Sequence, residues 1–377
     1  MKLTYPDYQN CGVNLANSIL RHFGAPTHHA TLPALDAKLA ARPYKNILVL
    51  LIDGLGSKIL ERHLPAESFL RRHHASDLSA VFPATTTAAT TSICSGLTPM
   101  EHCWLGWNNY VPDIDKVVTM YLNTIKDTET PAADYNVCQK FFAYTDIFQQ
   151  IRAAGGQAIH VSSYEPGEFY FEKHNLEECI DRIKLACDRP DQKYIYAYFA
   201  DPDHTMHDYG VDAPETAQKI REIDAAIQDL ATELSDTLLI VTADHGHRDI
   251  DYKVLSDYPK LYETLLRPTS IEARAANFFI KPDMKDQFER EFAKDFSDKF
   301  VLFTKRQVLD RQLFGDGQPH PRFEKCLGDF MTIAGADQAI NDTNEAEQLV
   351  STHAGLTADE MTVPFIVAEL SDDLTQN

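Results

Sequence analysis

Three apolar runs in this 377-residue chain each end in side chains suited to binding metal ions. The run at 46–52 is followed by Asp53-Gly54, the run at 194–199 leads to Asp201-Pro202-Asp203 and then His207, and the run at 237–241 leads to Asp244-His245-Gly246-His247. Polar residues just beyond buried strands lie where open α/β sheets collect their ligands. Asp203 and His207 are four apart, so one helical turn sets both on one face. Asp244 and His245 would point to opposite faces of a regular strand, and a turn at Gly246 lets them converge. A fourth apolar run, at 363–370, is preceded by Ser351-Thr352-His353. Taken singly, an aspartate after a strand is a helix cap or a loop residue; three such endings together point to metal binding. Mixed carboxylate and imidazole donors favour Zn²⁺, with Mn²⁺ as the second choice, over an all-oxygen Mg²⁺ or Ca²⁺ site.

A second constellation runs from Val81 to Ser92, VFPATTTAATTS, and ends at Gly96-Leu97-Thr98-Pro99. Small residues and hydroxyls dominate it, with Pro83 placed to open a helix and Gly96 to close it. A hydroxyl at a helix N-terminus is well placed to attack phosphorus, because backbone N–H groups and the helix dipole stabilise the anion there. The same composition suits a Thr-rich cap beside a tightly packed helix, and composition alone leaves these two readings level.

The elements that must position these groups follow from hydropathy. Continuous apolar runs at 46–52, 194–199, 237–241 and 363–370 predict strands covered on both faces, as in a mainly parallel sheet flanked by helices. Between the second and third, Ala217, Ile220, Ile223, Ile227, Leu230 and Leu234 recur at helical spacing, which makes a strand, helix, strand unit. A shorter strand is expected at 157–162. Residues 107–144 show loops and aromatics without a period, and 255–345 has the pattern of a smaller α+β cap insertion. The expected organisation is an α/β core of residues 1–254 and 346–377 interrupted by that cap.

Composition narrows the function. With 35 Lys and Arg against 56 Asp and Glu, the net charge is −21, and no basic stripe is available for duplex nucleic acid. Phosphate chemistry on such a chain calls for local cations that reverse the sign of the field. The seven cysteines are scattered and never spaced as CxxC, in keeping with reduced thiols. The N-terminus lacks signal-peptide character and no apolar run is long enough to span a membrane, so the expectation is a soluble cytoplasmic protein with no membrane partner.

Five segments, LIDGLG (51–56), VFPATTTAATTSICSGLTPMEH (81–102), DPDHTMHDYG (201–210), TADHGH (242–247) and STHAGL (351–356), occur in an order that resembles the alkaline phosphatase superfamily. They are most similar to its type I phosphodiesterase and nucleotide pyrophosphatase branch. The resemblance implies an alkaline-phosphatase-like α/β fold and two divalent metal ions about 4 Å apart. Asp203, His207 and His353 match the ligands of one ion, and Asp53, Asp244 and His245 those of the other. The family nucleophile, a Thr or Ser also bound to the second ion, falls ten residues before the glycine of the GLxP turn. Counting back from Gly96 gives Thr86, with Thr85 as the adjacent register. The asparagine that binds a phosphate oxygen in eukaryotic-type relatives meets Trp107 here, and Asn108 takes that role only through a one-residue shift. The sulfatase signature CxPSR is absent. His247 matches no ligand position and is assigned an outer or solvent-facing place, with Asp201 as a partner for a ligating histidine. Trp104, Trp107 and Tyr110 suit either stacking of a flat leaving group or packing under the cap, and the pairs His28-His29 and His73-His74 suit the surface.

These features imply a metal-dependent hydrolase that cleaves a phosphodiester or pyrophosphate bond in a small, nucleotide-type molecule through a phosphothreonine. Two rivals remain: a phosphate or phosphonate monoester hydrolase or phosphomutase on the same frame, and a non-catalytic, metal-stabilised binding protein.

Overall fold

A computed structural model describes residues 2–164 and 167–371. Strands are numbered along the chain. The apolar runs assemble into a six-stranded sheet of β1 (Asn46–Ile52), β2 (His74–Ser79), β6 (Gln157–Val161), β7 (Lys193–Phe199), β8 (Thr237–Thr242) and β17 (Thr362–Leu370), in the order β2-β17-β8-β1-β7-β6. β1 lies parallel to β7 and β8, and β6 parallel to β7, whereas β17 runs antiparallel to β8 and β2. Every residue of β1, β7 and β8 is buried, which explains runs that are continuous rather than alternating. Helix Pro214–Glu233 covers the sheet with Ile220, Ile223, Ile227 and Leu230. The fold is the alkaline-phosphatase-like α/β arrangement that the five segments imply.

A second sheet has seven strands, all antiparallel: β3 (Asn108–Val111), β4 (Lys116–Thr119), β5 (Thr124–Ile125), β11 (Ser270–Glu272), β12 (Ala275–Phe278), β13 (Phe300–Thr304) and β14 (Phe330–Ala334), in the order β13-β14-β12-β11-β3-β4-β5. The aperiodic stretch 107–144 is therefore more than loops. Three short strands from it extend the insertion's sheet through the pairing of Asn108 with Ile271. The insertion has its own aromatic core of Phe278, Phe288, Phe292, Phe296, Phe300 and Phe330. Two ribbons complete the strands: β9 (Arg248–Asp249) antiparallel to β16 (Ser351–Thr352), and β10 (Asp251–Val254) parallel to β15 (Gln338–Asn341). The β9/β16 ribbon draws the segments around His247 and His353 together.

One buried ion pair joins the insertion to the core. Arg274, fully buried beside β12, donates to both oxygens of Glu360 at 2.6 and 2.8 Å and to the Gln338 carbonyl at 2.7 Å. Glu360 also accepts from the Gly355 N–H at 2.7 Å and the Thr357 hydroxyl at 2.6 Å. It thereby organises the loop that follows His353. None of the cysteines forms a disulfide among the described residues, and no helix among them is long and apolar enough to cross a membrane.

Candidate metal centre and nucleophile

The carboxyl ends of β1, β7 and β8 deliver their aspartates to one place. Asp53 follows β1 directly. The β7 run leads to helix Asp203–Tyr209, which carries Asp203 and His207 on one face as the spacing predicts; they meet at 3.3 Å. After β8 the chain turns at Gly246, where a Cβ would stand 1.9 Å from the Asp359 carbonyl oxygen. Only glycine fits, and the turn lets Asp244 and His245 face the same point.

Hydrogen bonds fix how the imidazoles point. The Nδ1–H groups of His207, His245 and His353 donate to the carbonyls of Ser351 (2.7 Å), Gly246 (3.1 Å) and Ala84 (3.0 Å). A carbonyl accepts only, so each ring turns Nε2 toward the carboxylates. Two ligands about 2.0–2.1 Å from one tetrahedral ion stand roughly 3.4 Å apart. His245 Nε2 lies 3.3 Å from Asp53, 3.6 Å from Asp244 and 3.2 Å from the Thr86 hydroxyl. Thr86 Oγ1 is 3.4 and 3.5 Å from the two Asp53 oxygens. On the other side Asp203 is 3.3 Å from His207 and 3.8 Å from His353. The oxygen Oδ2 of fully buried Asp244 has no hydrogen-bond partner, a costly arrangement unless a cation completes it. Spacing, donor types and the orphaned oxygen all fit metal binding at both ends of the cluster.

The electrostatics agree. Burial, reinforced by repulsion from Asp203 and Asp244, pushes the Asp53 carboxyl well above its ordinary range. Burial also works to raise Asp203, but His207 and His247 outweigh it and hold that group well below. Burial opposes the charge on His207, yet Asp203 lifts it to about 9, so metal binding there is coupled to loss of a proton. Burial, with His245 beside it, keeps His353 neutral.

The sequence expectations meet the structure residue by residue. Asp53, Asp203, His207, Asp244, His245, His353 and Thr86 are all brought together. Helix Thr86–Ser95 closes at Gly96, whose φ of 77° is left-handed, but it opens at Thr86 rather than at Pro83. Thr85 is the N-cap residue and donates to Glu272 at 2.6 Å, away from the aspartates. His247 is not solvent-facing. It is buried, its Nε2 is 2.5 Å from Asp203 Oδ1, and its Nδ1 rests on the Ser351 hydroxyl at 2.8 Å. Its donor atom also lies within 4.8 Å of those of His245 and His353. The 2.5 Å contact is hydrogen-bond length and shorter than two ligands on one ion allow, so His247 steadies the Asp203 carboxylate. Asp201 serves other groups, His174 and Thr205. Asn108 is not brought to the cluster: its oxygen accepts from Thr119 across the second sheet. Trp104 and Tyr110 pack, against Tyr121 and Tyr144 and against Phe279 with Arg267, while Trp107 is 42% exposed. His28 is exposed, as expected, but His29 is largely covered and bonded to Glu101 at 2.6 Å.

Two residues at the site carry no sequence signal: Tyr198 of β7, whose hydroxyl donates to Asp53 Oδ2, and Glu272. Glu272, at the end of β11, reaches the start of helix Thr86–Ser95, where its Oε1 accepts from the Thr85 hydroxyl and from the Trp107 N–H at 2.7 Å. Burial raises its carboxyl, and those two donors work against the rise.

Fold and site together define an alkaline-phosphatase-like protein with a paired Asp/His centre under a helix-borne threonine. The model of the type I phosphodiesterase / nucleotide pyrophosphatase family matches residues 47–353, and the chain belongs to that family. Among solved structures, murine ectonucleotide pyrophosphatase/phosphodiesterase 5 superposes with a TM-score of 0.68 over 86% of this chain and 88% of that one, at 18% identity. The human counterpart gives a TM-score of 0.65 at 18% identity, over 86% of this chain and 87% of that one. Among curated proteins, the catalytic subunit of GPI ethanolamine phosphate transferase 3 from Mus musculus is 28% identical over 118 residues, 27% of this chain. Human ectonucleotide pyrophosphatase/phosphodiesterase family member 7 is 33% identical over 78 residues, 19% of this chain. These matches span only 11% and 17% of the curated relatives' lengths.

Proposed function

We propose that the protein is a metal-dependent phosphodiesterase that cleaves a phosphodiester or pyrophosphate bond in a small, nucleotide-type substrate. The observation that carries this reading is the Thr86 hydroxyl, which opens its helix facing Asp53 and His245 while the Thr85 hydroxyl is committed to Glu272. Asp53, Asp244, His245 and Thr86 would hold one ion and Asp203, His207 and His353 the other, with Zn²⁺ first and Mn²⁺ second by donor type. The ions would supply charge neutralisation on the phosphoryl oxygens and a lowered pKa for bound hydroxyls.

The chain's own groups do the rest. Thr86 Oγ forms a bond to phosphorus as the bond from phosphorus to the leaving oxygen breaks, and the hydroxyl proton goes to the Asp53 carboxylate oxygen 3.4 Å away. Free N–H groups of the first helical turn hold a phosphoryl oxygen. Water then cleaves the phosphothreonine ester and restores the hydroxyl. Family membership supports the reaction class, and the murine relative solved as an inactive Thr→Ala form in complex with AMP supports both nucleophile and substrate type.

Thr86→Ala should lower turnover of bis-p-nitrophenyl phosphate by about a thousandfold or more, and Thr85→Ala by less than about tenfold. Acid quenching during turnover should leave a phosphorylated peptide containing Thr86. Full activity in Thr86→Ala, or a label elsewhere, would refute the assignment. A strong preference for monoesters in the wild type would refute the diesterase reading.

A further inference from the structure

We infer that Glu272 is a specificity-determining residue, which selects singly charged phosphodiesters by repelling a second negative charge at the phosphoryl site. The inference rests on the proposed phosphodiesterase reading and adds to it a residue from the insertion. Glu272 comes from β11, outside all five matching segments, yet its carboxylate sits at the N-terminal end of the helix that Thr86 opens. Oxygen Oε1 is held by the Thr85 hydroxyl and the Trp107 main-chain N–H, at 2.6 and 2.7 Å. Oxygen Oε2 has no hydrogen-bond partner among the described residues, and the residue is partly exposed. One oxygen is thus anchored and the other is left open, beside a helix terminus that would otherwise attract anions without limit.

Trp107 occupies the position at which the resemblance expects a phosphate-binding asparagine. Its side chain carries no such amide, and its N–H is already taken by Glu272. Counting charges gives the consequence. Asp53, Asp203 and Asp244 against two divalent ions leave one positive charge, which suits a monoanionic diester. The carboxylate of Glu272 lies beside that charge, so the second negative charge of a dianionic monoester meets repulsion that no surplus cation offsets. The same repulsion acts on the dianionic monoester or phosphate released by hydrolysis, so Glu272 also favours product departure.

The test uses the metal-loaded protein and two substrates that share a leaving group and differ by one charge, p-nitrophenyl phosphate and its methyl ester. In Glu272→Gln the carbonyl still accepts from Thr85 and Trp107, and the amide faces the cleft as a donor. We expect kcat/KM for the monoester to rise about tenfold relative to the methyl diester. Calorimetric titration with inorganic phosphate should show binding about tenfold tighter, with metal content unchanged. Glu272→Ala, which removes the charge together with both anchors, should relax the ratio in the same direction even where absolute rates fall. An unchanged ratio and unchanged phosphate affinity in both variants would overturn the inference, as would parallel loss of both substrates, which marks a purely structural role. If the wild type turns over neither ester, the phosphodiesterase reading fails, while the phosphate titration still decides whether Glu272 repels a dianion.

Discussion

The two sheets contribute to the site in different ways. The central sheet supplies donors at its carboxyl edge, and their imidazoles are aimed by main-chain carbonyls of Ser351, Gly246 and Ala84. The seven-stranded sheet supplies none of the proposed metal ligands. It reaches the centre through Glu272 at the start of helix Thr86–Ser95 and through Arg274, which holds Glu360 beneath the His353 loop. The donor side chains come from the edge of the central sheet and the loops beside it, and the second sheet adds two charged anchors, Glu272 and Arg274.

If that division is right, damage to the second sheet should first appear as lost stability. Arg274→Ala strands the buried Glu360 carboxylate and should cost about 3–5 kcal/mol in denaturant unfolding. The half-exposed pair Arg248–Asp359, at 2.7 Å, should yield less than about 1 kcal/mol when Arg248 is replaced. Equal losses would erase the contrast between the buried and the half-exposed pair. His247→Gln addresses the central sheet instead. With Asp203 no longer steadied, metal affinity should fall about 10–100-fold in competition with a chelator, while the fold is retained.

A pH series on metal-stripped protein sharpens the same point. Asp203 lifts His207 from 6.5 to about 9 in the folded state, so this pair stabilises most fully below pH 6.5 and loses its effect as pH rises through about 9. The thermal-melting gap between stripped wild type and stripped His207→Gln should therefore close over that window. A constant gap would mean that the pair is not ionised as described. The smallest effect is expected at the rim, where Trp107→Ala should change stability by no more than about 0.5 kcal/mol and alter KM more than kcat.

What the sequence disclosed follows the same division. β1, β7 and β8 were legible because strands buried on both faces must be apolar throughout, and their ends displayed Asp53, Asp203 and Asp244 at fixed offsets. His353 and Thr86 needed the resemblance, because nothing local sets a lone histidine or one of three consecutive threonines apart. The carbonyl anchors were invisible, since every residue has a carbonyl. β3 to β5 are two to four residues long, too short for a period to emerge. They pair with one another, while the link from β3 to β11 joins Asn108 to Ile271 more than a hundred residues away, and a lone glutamate in Ser270–Glu272 has no motif to announce that it crosses to a helix.

The bond between Arg274 and Glu360 bears on how such a protein can be altered. An insertion that merely covered a site could be trimmed or exchanged with neighbours. Here excision would leave a carboxylate uncompensated under the loop that bears His353, so the insertion and the centre constrain one another's change. A shorter or swapped insertion would have to bring its own cation to the same spot, or remove Glu360 along with its partner.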